Sequence, residues 1–351
     1  THRSMVLGGS IIALGHVMLA ISGLGHGWGL AFGLTWMVAA LFFSVRSGWK
    51  LWKWLGGIGC GLMVAAGEGG TAANGLALST MTPGFGAIFC NSEAHIAVDE
   101  CNSPEMFTGG AKIMGLHGPA GKITPAMVEK TLKGFIRGEH DPKPRGVSLT
   151  NATELGTIYS PAEVKAFSDL IRPRGMKLHM DGARFANALA ATGATPAEMT
   201  WKAGIDVLSL GGTKNGLLGV EAVVLFDPTK AWEFELRRKR AGHLFSKHRF
   251  LSAQMAAYLD DGLWLRLAAQ ANAMGRRLAQ GLTALPDVGL THPAQANMLF
   301  AHWPAGSHAR LAAAGANFYS QAPRADGREA ARLVTFWTTT AEQVDAFVQH
   351  L

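Results

Sequence analysis

The chain has 351 residues, which allows two or three domains and an ample core. Hydrophobic residues make up 48%, an ordinary globular value, while charged residues make up only 16% against a usual ~25%. A net charge of +7 admits nucleic acid or a membrane as partner, but the basic residues are scattered except at Arg237–Arg240, and the balance equally suits an enzyme with an anionic cofactor and substrate.

Three cysteines, Cys60, Cys90 and Cys101, have no Cys-x-x-Cys or ligand spacing. They argue against a disulfide framework and fit a reducing, cytoplasmic setting.

Residues 1–69 differ from the rest. No Asp, Glu, Lys or Arg occurs from Ser4 to Val45. The runs 5–23 and 28–45 are each about long enough to span a bilayer, for which roughly 20 apolar residues are needed. Arg46, Lys50 and Lys53, interleaved with Trp49, Trp52 and Trp54, suit a cytoplasmic interfacial edge. The stretch reads as a membrane hairpin followed by a third apolar run, 55–66. The apolar region is too long for a signal peptide.

At Gly69 the pattern changes. Gly70-Thr71-Ala72-Ala73-Asn74 opens a helix to Thr80. Free N–H groups and the Thr71 hydroxyl at such a start make a phosphate site, or Thr71 simply caps the helix. A strand at 86–90 precedes a loop holding His95. Further strands are expected at 111–114, 146–150, 177–180, 206–210 and 222–226. Helices are expected from Thr124-Pro125 to Ile136, from the capping box Ser160-Pro161-Ala162-Glu163 to Ile171, over 182–191 and from Thr195. Strands alternating with helices predict an α/β domain with a mostly parallel sheet over 70–228. Ligands sit beyond the carboxyl ends of such strands, where His95, Asp181 and Lys214 all fall.

Residues 229–351 read as a small α+β domain. An amphipathic helix covers 232–239, and a long helix covers 250–285 with a break near Asp260-Asp261-Gly262. Short strands follow at 288–290 and 298–301, then a helix near His308, a strand from Arg332 and a last helix from Thr340.

The run from Ile205 to Gly216 is an apolar strand ending in a glycine-rich turn with one lysine, Lys214. The preceding strand ends in a carboxylate, Asp181. This pair suits pyridoxal phosphate, with Lys214 forming a Schiff base and Asp181 pairing with the pyridine nitrogen; a turn lysine beside a capping aspartate is the bland alternative. His95 could stack on the ring. Arg184 could bond the ring oxygen or a substrate carboxylate, and Arg332 is a second candidate for that carboxylate, because its fork binds carboxylates bidentately. No metal-ligand pattern is present.

These residues carry a resemblance. From Gly70 onward the chain resembles the low-specificity threonine aldolases and phenylserine aldolases, in the β-eliminating lyase group of fold-type-I pyridoxal-phosphate enzymes. The matching stretches are 70–74, 95–101 (His-Ile-Ala-Val-Asp-Glu-Cys), 151–154 (Asn-Ala-Thr-Glu), 179–187 (His-Met-Asp-Gly-Ala-Arg-Phe-Ala-Asn), 211–216 (Gly-Gly-Thr-Lys-Asn-Gly), 237–243 and 332–335. The resemblance implies Lys214 as the Schiff-base lysine, Asp181 at the pyridine nitrogen, His95 on the ring, and Gly70 and Thr71 at the phosphate. It places Arg184 near the cofactor oxygen and Arg332 at the substrate carboxylate. Lys247 and Arg249 are expected to reach a neighbouring subunit's site, in a homodimer or homotetramer. The implied reaction is retro-aldol cleavage of a β-hydroxy-α-amino acid to glycine and an aldehyde, with a histidine or an ordered water as base. Another lyase or racemase of the same fold, or an inactive chain lacking its N-terminal site segment, are the alternatives.

The departure is residues 1–69, where the family's Asp-Asn and Gly-His elements are absent. Two readings compete: a fused membrane hairpin, or an out-of-frame translation of the family's usual N-terminus. In a frame shifted by two bases, the Trp-Lys pairs at 49–50 and 52–53 each force a glutamate, within a string resembling the family's segment before Gly-Thr.

Overall fold

A computed structural model of the protein describes residues 62–67, 70–244 and 246–351, all within one unit of the chain, Trp54–Leu351. The apolar runs 5–23 and 28–45, and the membrane-hairpin and out-of-frame readings tied to them, lie outside the described residues. Among the described residues no helix is long and apolar enough to cross a membrane.

The first elements are β1 (Leu62–Gly67), α1 (Gly70–Met81), β2 (Gly86–Asn91), α2 (His95–Val98), α3 (Ser103–Thr108), β3 (Lys112–Leu116) and α4 (Pro125–Leu132). Then come β4 (Lys143–Thr150), α5 (Pro161–Ile171), β5 (Lys177–Gly182), α6 (Phe185–Thr192), α7 (Pro196–Met199), β6 (Val207–Gly211) and β7 (Val220–Leu225). The strands form one seven-stranded sheet in the order β1-β7-β6-β5-β4-β2-β3. β3, β2, β4, β5 and β6 are mutually parallel, and β7 is antiparallel to both neighbours. The reversal follows from the connection: a short turn with no crossover helix joins β6 to β7, and such a link returns the chain antiparallel. β2, β6 and β7 are buried at every residue, as expected for strands covered by helices on both faces.

β1 corrects the sequence reading. It lies inside the stretch set apart as 1–69, yet pairs with β7 from Leu62 opposite Leu225 to Gly67 opposite Val220. A short apolar run reads equally as strand or as part of a longer apolar helix, and only its partner decides. Because β1 and β6 both run against β7, the carboxyl end of β1 and the start of α1 lie at the same sheet edge as the Lys214 turn.

The helix starts follow their chemistry. Ser160 and Glu163 form the expected capping box, with the Ser160 N–H donating to Glu163 at 2.7 Å. The same box at Thr195–Glu198 starts only the four-residue α7, which stops at Thr200, whose backbone is not helical. Ala73, Leu76 and Ala77 of α1 pack on Val207, Val223 and Leu225 of the sheet.

The later elements are α8 (Ala231–Arg240), α9 (Arg249–Leu259), α10 (Leu263–Thr283), β8 (Gly289–Leu290), β9 (Met298–Trp303), α11 (Ser307–Ala313), β10 (Tyr319–Gln321), β11 (Glu329–Val334) and α12 (Ala341–Gln349). Phe234 of α8 is fully buried in the α1 cluster, so the chain beyond 229 still builds the first core. The break expected near 260–262 separates α9 from α10; Asp261 and Gly262 there have φ of 49° and 66°. The four strands make an antiparallel sheet, β10-β11-β9-β8, whose core joins Leu278 and Leu282 of α10 to Trp303, Leu311, Leu333 and Val344. β10 has no counterpart in the sequence reading: its three residues are all exposed and carry no alternation.

Candidate active site

The candidate residues gather beyond the carboxyl ends of the parallel strands. Asp181 is the next-to-last residue of β5, Lys214 lies three residues beyond β6, and His95 lies four beyond β2. His95 begins the one-turn helix α2 instead of lying in an open loop.

Asp181 is 4% exposed and bonded at both oxygens. Its Oδ1 accepts from the Ala183 N–H at 2.9 Å, and its Oδ2 accepts from Asn74 Nδ2 at 2.8 Å. Asn74 lies one turn inside α1, so its bond to Asp181 brings the Gly70-Thr71 helix start to this site. The open N–H groups there are an anion site by position.

Asn74 Nδ2 also donates to Glu100 Oε1 at 2.9 Å, and that oxygen lies 2.9 Å from His95 Nδ1. His95 is held a second time: its backbone N–H donates to Glu154 Oε1 at 3.0 Å, which also accepts from the Thr150 hydroxyl at 2.8 Å. Glu100 raises the pKa of His95 through its hydrogen bond. Burial raises that of Glu100 and pushes Glu154 up to about 7.

Lys214 sits in the 3-10 turn Thr213–Asn215, which ends at Gly216 with φ of 110°. The N–H groups of Gly212 and Thr213 donate to the carboxylate of buried Glu221, at 3.0 and 3.4 Å, and Asn215 Nδ2 donates to Tyr258 and to the Trp264 carbonyl. The lysine is therefore carried on a turn braced from β7, α9 and α10. Lys214 reaches solvent, yet desolvation by the surrounding walls lowers its pKa, and the nearby Arg184 guanidinium lowers it further.

Arg184 precedes α6, and Arg332 lies within β11. Burial brings the Arg184 pKa down to about 10, with the positive charge of Arg332 as the second cause. The Nε atoms of both are shielded from solvent and lack a hydrogen-bond partner. Two neighbouring guanidinium groups with orphaned donors form a receptor for an anion. The Arg332 guanidinium lies 4.3 Å from the Tyr319 ring centroid, so β10 supplies its shelf.

The structure thus links Asp181, His95, Asn74 and Glu100 by direct hydrogen bonds, with Lys214, Arg184 and Arg332 interacting electrostatically beside them. Lys247 and Arg249 are both exposed at the start of α9. Asn74, Glu100, Glu154, Glu221 and Asn215 had no role assigned from sequence. For Asn74, Asn215 and Glu221 the signal was a polar side chain in an apolar or glycine-rich stretch, plainest for Asn74 in the buried run 72–80; Glu100 and Glu154 lie among other polar residues and carry none. Among the described residues no cluster of His, Cys, Asp and Glu could hold a metal. Cys90 is a buried free thiol whose pKa burial pushes up to about 12, and Cys101 is free and exposed.

The donor set fits pyridoxal phosphate: a lysine with a lowered pKa, an aspartate fixed at both oxygens, a helix start for a phosphate, and a neighbouring pair of guanidinium groups. The fold is that of the fold-type-I pyridoxal-phosphate class. Within that class the chain belongs to the β-eliminating lyase family, whose model matches residues 56–303. The match begins upstream of Gly70 and takes in β1. A low specificity L-threonine aldolase from Pseudomonas sp. strain NCIMB 10558 is 44% identical over 276 residues, 78% of this chain and 78% of that protein. One from Pseudomonas aeruginosa is 44% identical over 275 residues, again 78% of each chain. The solved structure of Leishmania major threonine aldolase superposes with a TM-score of 0.77 at 29% identity, covering 83% of both chains.

Proposed function

We propose that the chain is a pyridoxal-phosphate-dependent aldehyde-lyase that cleaves a β-hydroxy-α-amino acid, such as threonine, allo-threonine or phenylserine, into glycine and an aldehyde. The observation that carries this reading is the convergence of Lys214, Asp181 and the Arg184–Arg332 pair at one sheet edge. The 44% identity to two low specificity L-threonine aldolases supports the substrate class.

When bound, pyridoxal phosphate supplies an electron sink for the bond broken at the substrate's Cα. Lys214 would hold it, and the lowered pKa of that amine lets Nζ give up and take back a proton. Asp181, fixed by Asn74 and Ala183, would hold a proton at the pyridine nitrogen, and His95 would lie against the ring. Gly70 and Thr71 would hold the phosphate through the first N–H groups of α1. Arg332 and Arg184 would orient the substrate carboxylate, which fixes the bond at Cα that lies across the ring.

The reading includes a homo-oligomeric enzyme of the cytoplasm, with Lys247 and Arg249 reaching a partner's site. It is supported by the exposure of both side chains. The test is to incubate purified protein and cofactor with threonine, allo-threonine and phenylserine, and to measure glycine and aldehyde. Equimolar glycine and aldehyde are expected. Release of pyruvate, or a racemised amino acid without aldehyde, would overturn the reading.

A further inference from the structure

We propose that Glu100 is a positioning residue that locks His95 and Asp181 into one unit, through its own bond to the imidazole and through Asn74. The inference rests on the function proposed above and adds a residue to it.

Glu100 follows α2 at the start of the link to α3 and is 4% exposed, its side chain fully shielded. A carboxylate is costly to bury unless it is paired and hydrogen-bonded. Here one oxygen does all the bonding: Oε1 lies 2.9 Å from His95 Nδ1 and accepts from Asn74 Nδ2 at 2.9 Å. The same amide nitrogen donates to Asp181 Oδ2 at 2.8 Å. The two residues expected on the cofactor's face and at its pyridine nitrogen are thus joined by a continuous path, His95–Glu100–Asn74–Asp181.

The path has two chemical consequences. A carboxylate accepts only, so Nδ1 must carry the proton and Nε2 is left as the open nitrogen of the ring. The bond also fixes the ring plane, as a carboxylate partner does for a functional histidine elsewhere. Asp181, Lys214 and Glu100 set the charge around His95, and Glu154 binds its backbone N–H. Glu100 raises the His95 pKa, so removing its charge lowers that pKa.

The test uses Glu100→Gln in the full chain loaded with cofactor. Glutamine can still accept from Nδ1 but carries no charge. The expected result is a retained lysine-bound chromophore, a kcat reduced about tenfold or more, and a KM for the amino acid changed by less than about threefold. The limb of the pH profile that belongs to His95 moves to lower pH. In a His95→Phe background the same substitution has a smaller effect on kcat, because the route through the imidazole is gone and only that through Asn74 remains. Where Glu100→Gln does not fold, Glu100→Asp is measured in the same way, and its shorter reach lowers kcat with the charge kept. An unchanged kcat and pH profile overturn the proposal, as does an undiminished loss in the His95→Phe background. If wild-type protein takes up no cofactor on a lysine, the functional reading fails instead, and the two failures are distinct.

Discussion

Asn74 donates from Nδ2 to Oδ2 of Asp181 at 2.8 Å, joining the first turns of α1 to the carboxyl end of β5 across 107 positions of sequence. The bond ties the helix start proposed to hold a phosphate to the carboxylate proposed to hold a pyridine nitrogen. Substituting Asn74 by Ala removes the side-chain amide that Asp181 Oδ2 and Glu100 Oε1 share in a buried place. A cost of about 1–3 kcal/mol in unfolding free energy is expected, with cofactor lost more readily on dialysis. Denaturant titration and residual absorbance check both. Unaltered stability and retention would contradict the linkage.

Arg332 gives a prediction that divides KM from kcat. Removing a charged hydrogen-bonding partner of a carboxylate costs about 1.5–3 kcal/mol, which is roughly a tenfold to hundredfold rise in KM for Arg332→Ala. Arg332→Lys recovers only part of this, since an ammonium lacks the fork. Tyr319→Ala removes the aromatic shelf 4.3 Å away and has a smaller effect of the same kind. Steady-state kinetics over a range of amino acid concentrations separates the three. A normal KM in Arg332→Ala removes it from the substrate site.

The turn that carries Lys214 depends on Asn215, whose amide donates at 2.6 Å to the Tyr258 hydroxyl and at 2.9 Å to the Trp264 carbonyl. Asn215→Ala removes the donor to a buried hydroxyl and to a buried carbonyl. The expected outcome is a loss of about 1–3 kcal/mol in stability, together with a lowered kcat, because Lys214 loses its brace. Thermal unfolding and turnover are measured on the same preparation; turnover unchanged at reduced stability would make Asn215 purely structural.

His179 supplies a pH dependence. It is fully buried between Ser148 and Ser209, whose hydroxyls lie 2.9 and 3.0 Å from its ring nitrogens, and burial lowers its pKa to about 4. With an unfolded value near 6.5, the unfolded chain takes up a proton first as pH falls. The stability due to neutral His179 is therefore full above about 6.5 and is lost as pH drops toward 4, by at most about 3 kcal/mol. Burial raises Glu154 and Glu221 to about 7, which acts with the opposite sign. Comparing wild type with His179→Gln cancels those carboxylates. The wild-type advantage at pH 7 is expected to shrink toward pH 4, and a gap that stays constant would contradict the assignment.

Much of this was legible from sequence where one residue does one local job. Pro161 and the Ser160–Glu163 box announce a helix start, and glycines at 211, 212 and 216 announce the turn bearing Lys214. Asp181 and Lys214 could be placed at strand ends because the apolar runs before them are clear. Asn74, Glu100 and Glu221 could not be given roles, because each depends on a partner distant in the chain or across a hairpin. The strand at Leu62–Gly67 was hidden for the same reason: six residues of apolar chain take their meaning from β7. Tyr319 lies on an exposed three-residue strand whose only mark is its pairing to Arg332.

Cofactor attachment to Lys214 tests the central claim most directly. Purified protein is incubated with pyridoxal phosphate, treated with borohydride to make the attachment permanent, and mapped by mass spectrometry. A single modified peptide containing Lys214 is expected, with loss of the near-ultraviolet and visible band in Lys214→Ala and loss of aldehyde release with it. Modification at a different lysine, or a Lys214→Ala protein that keeps both band and activity, would contradict it.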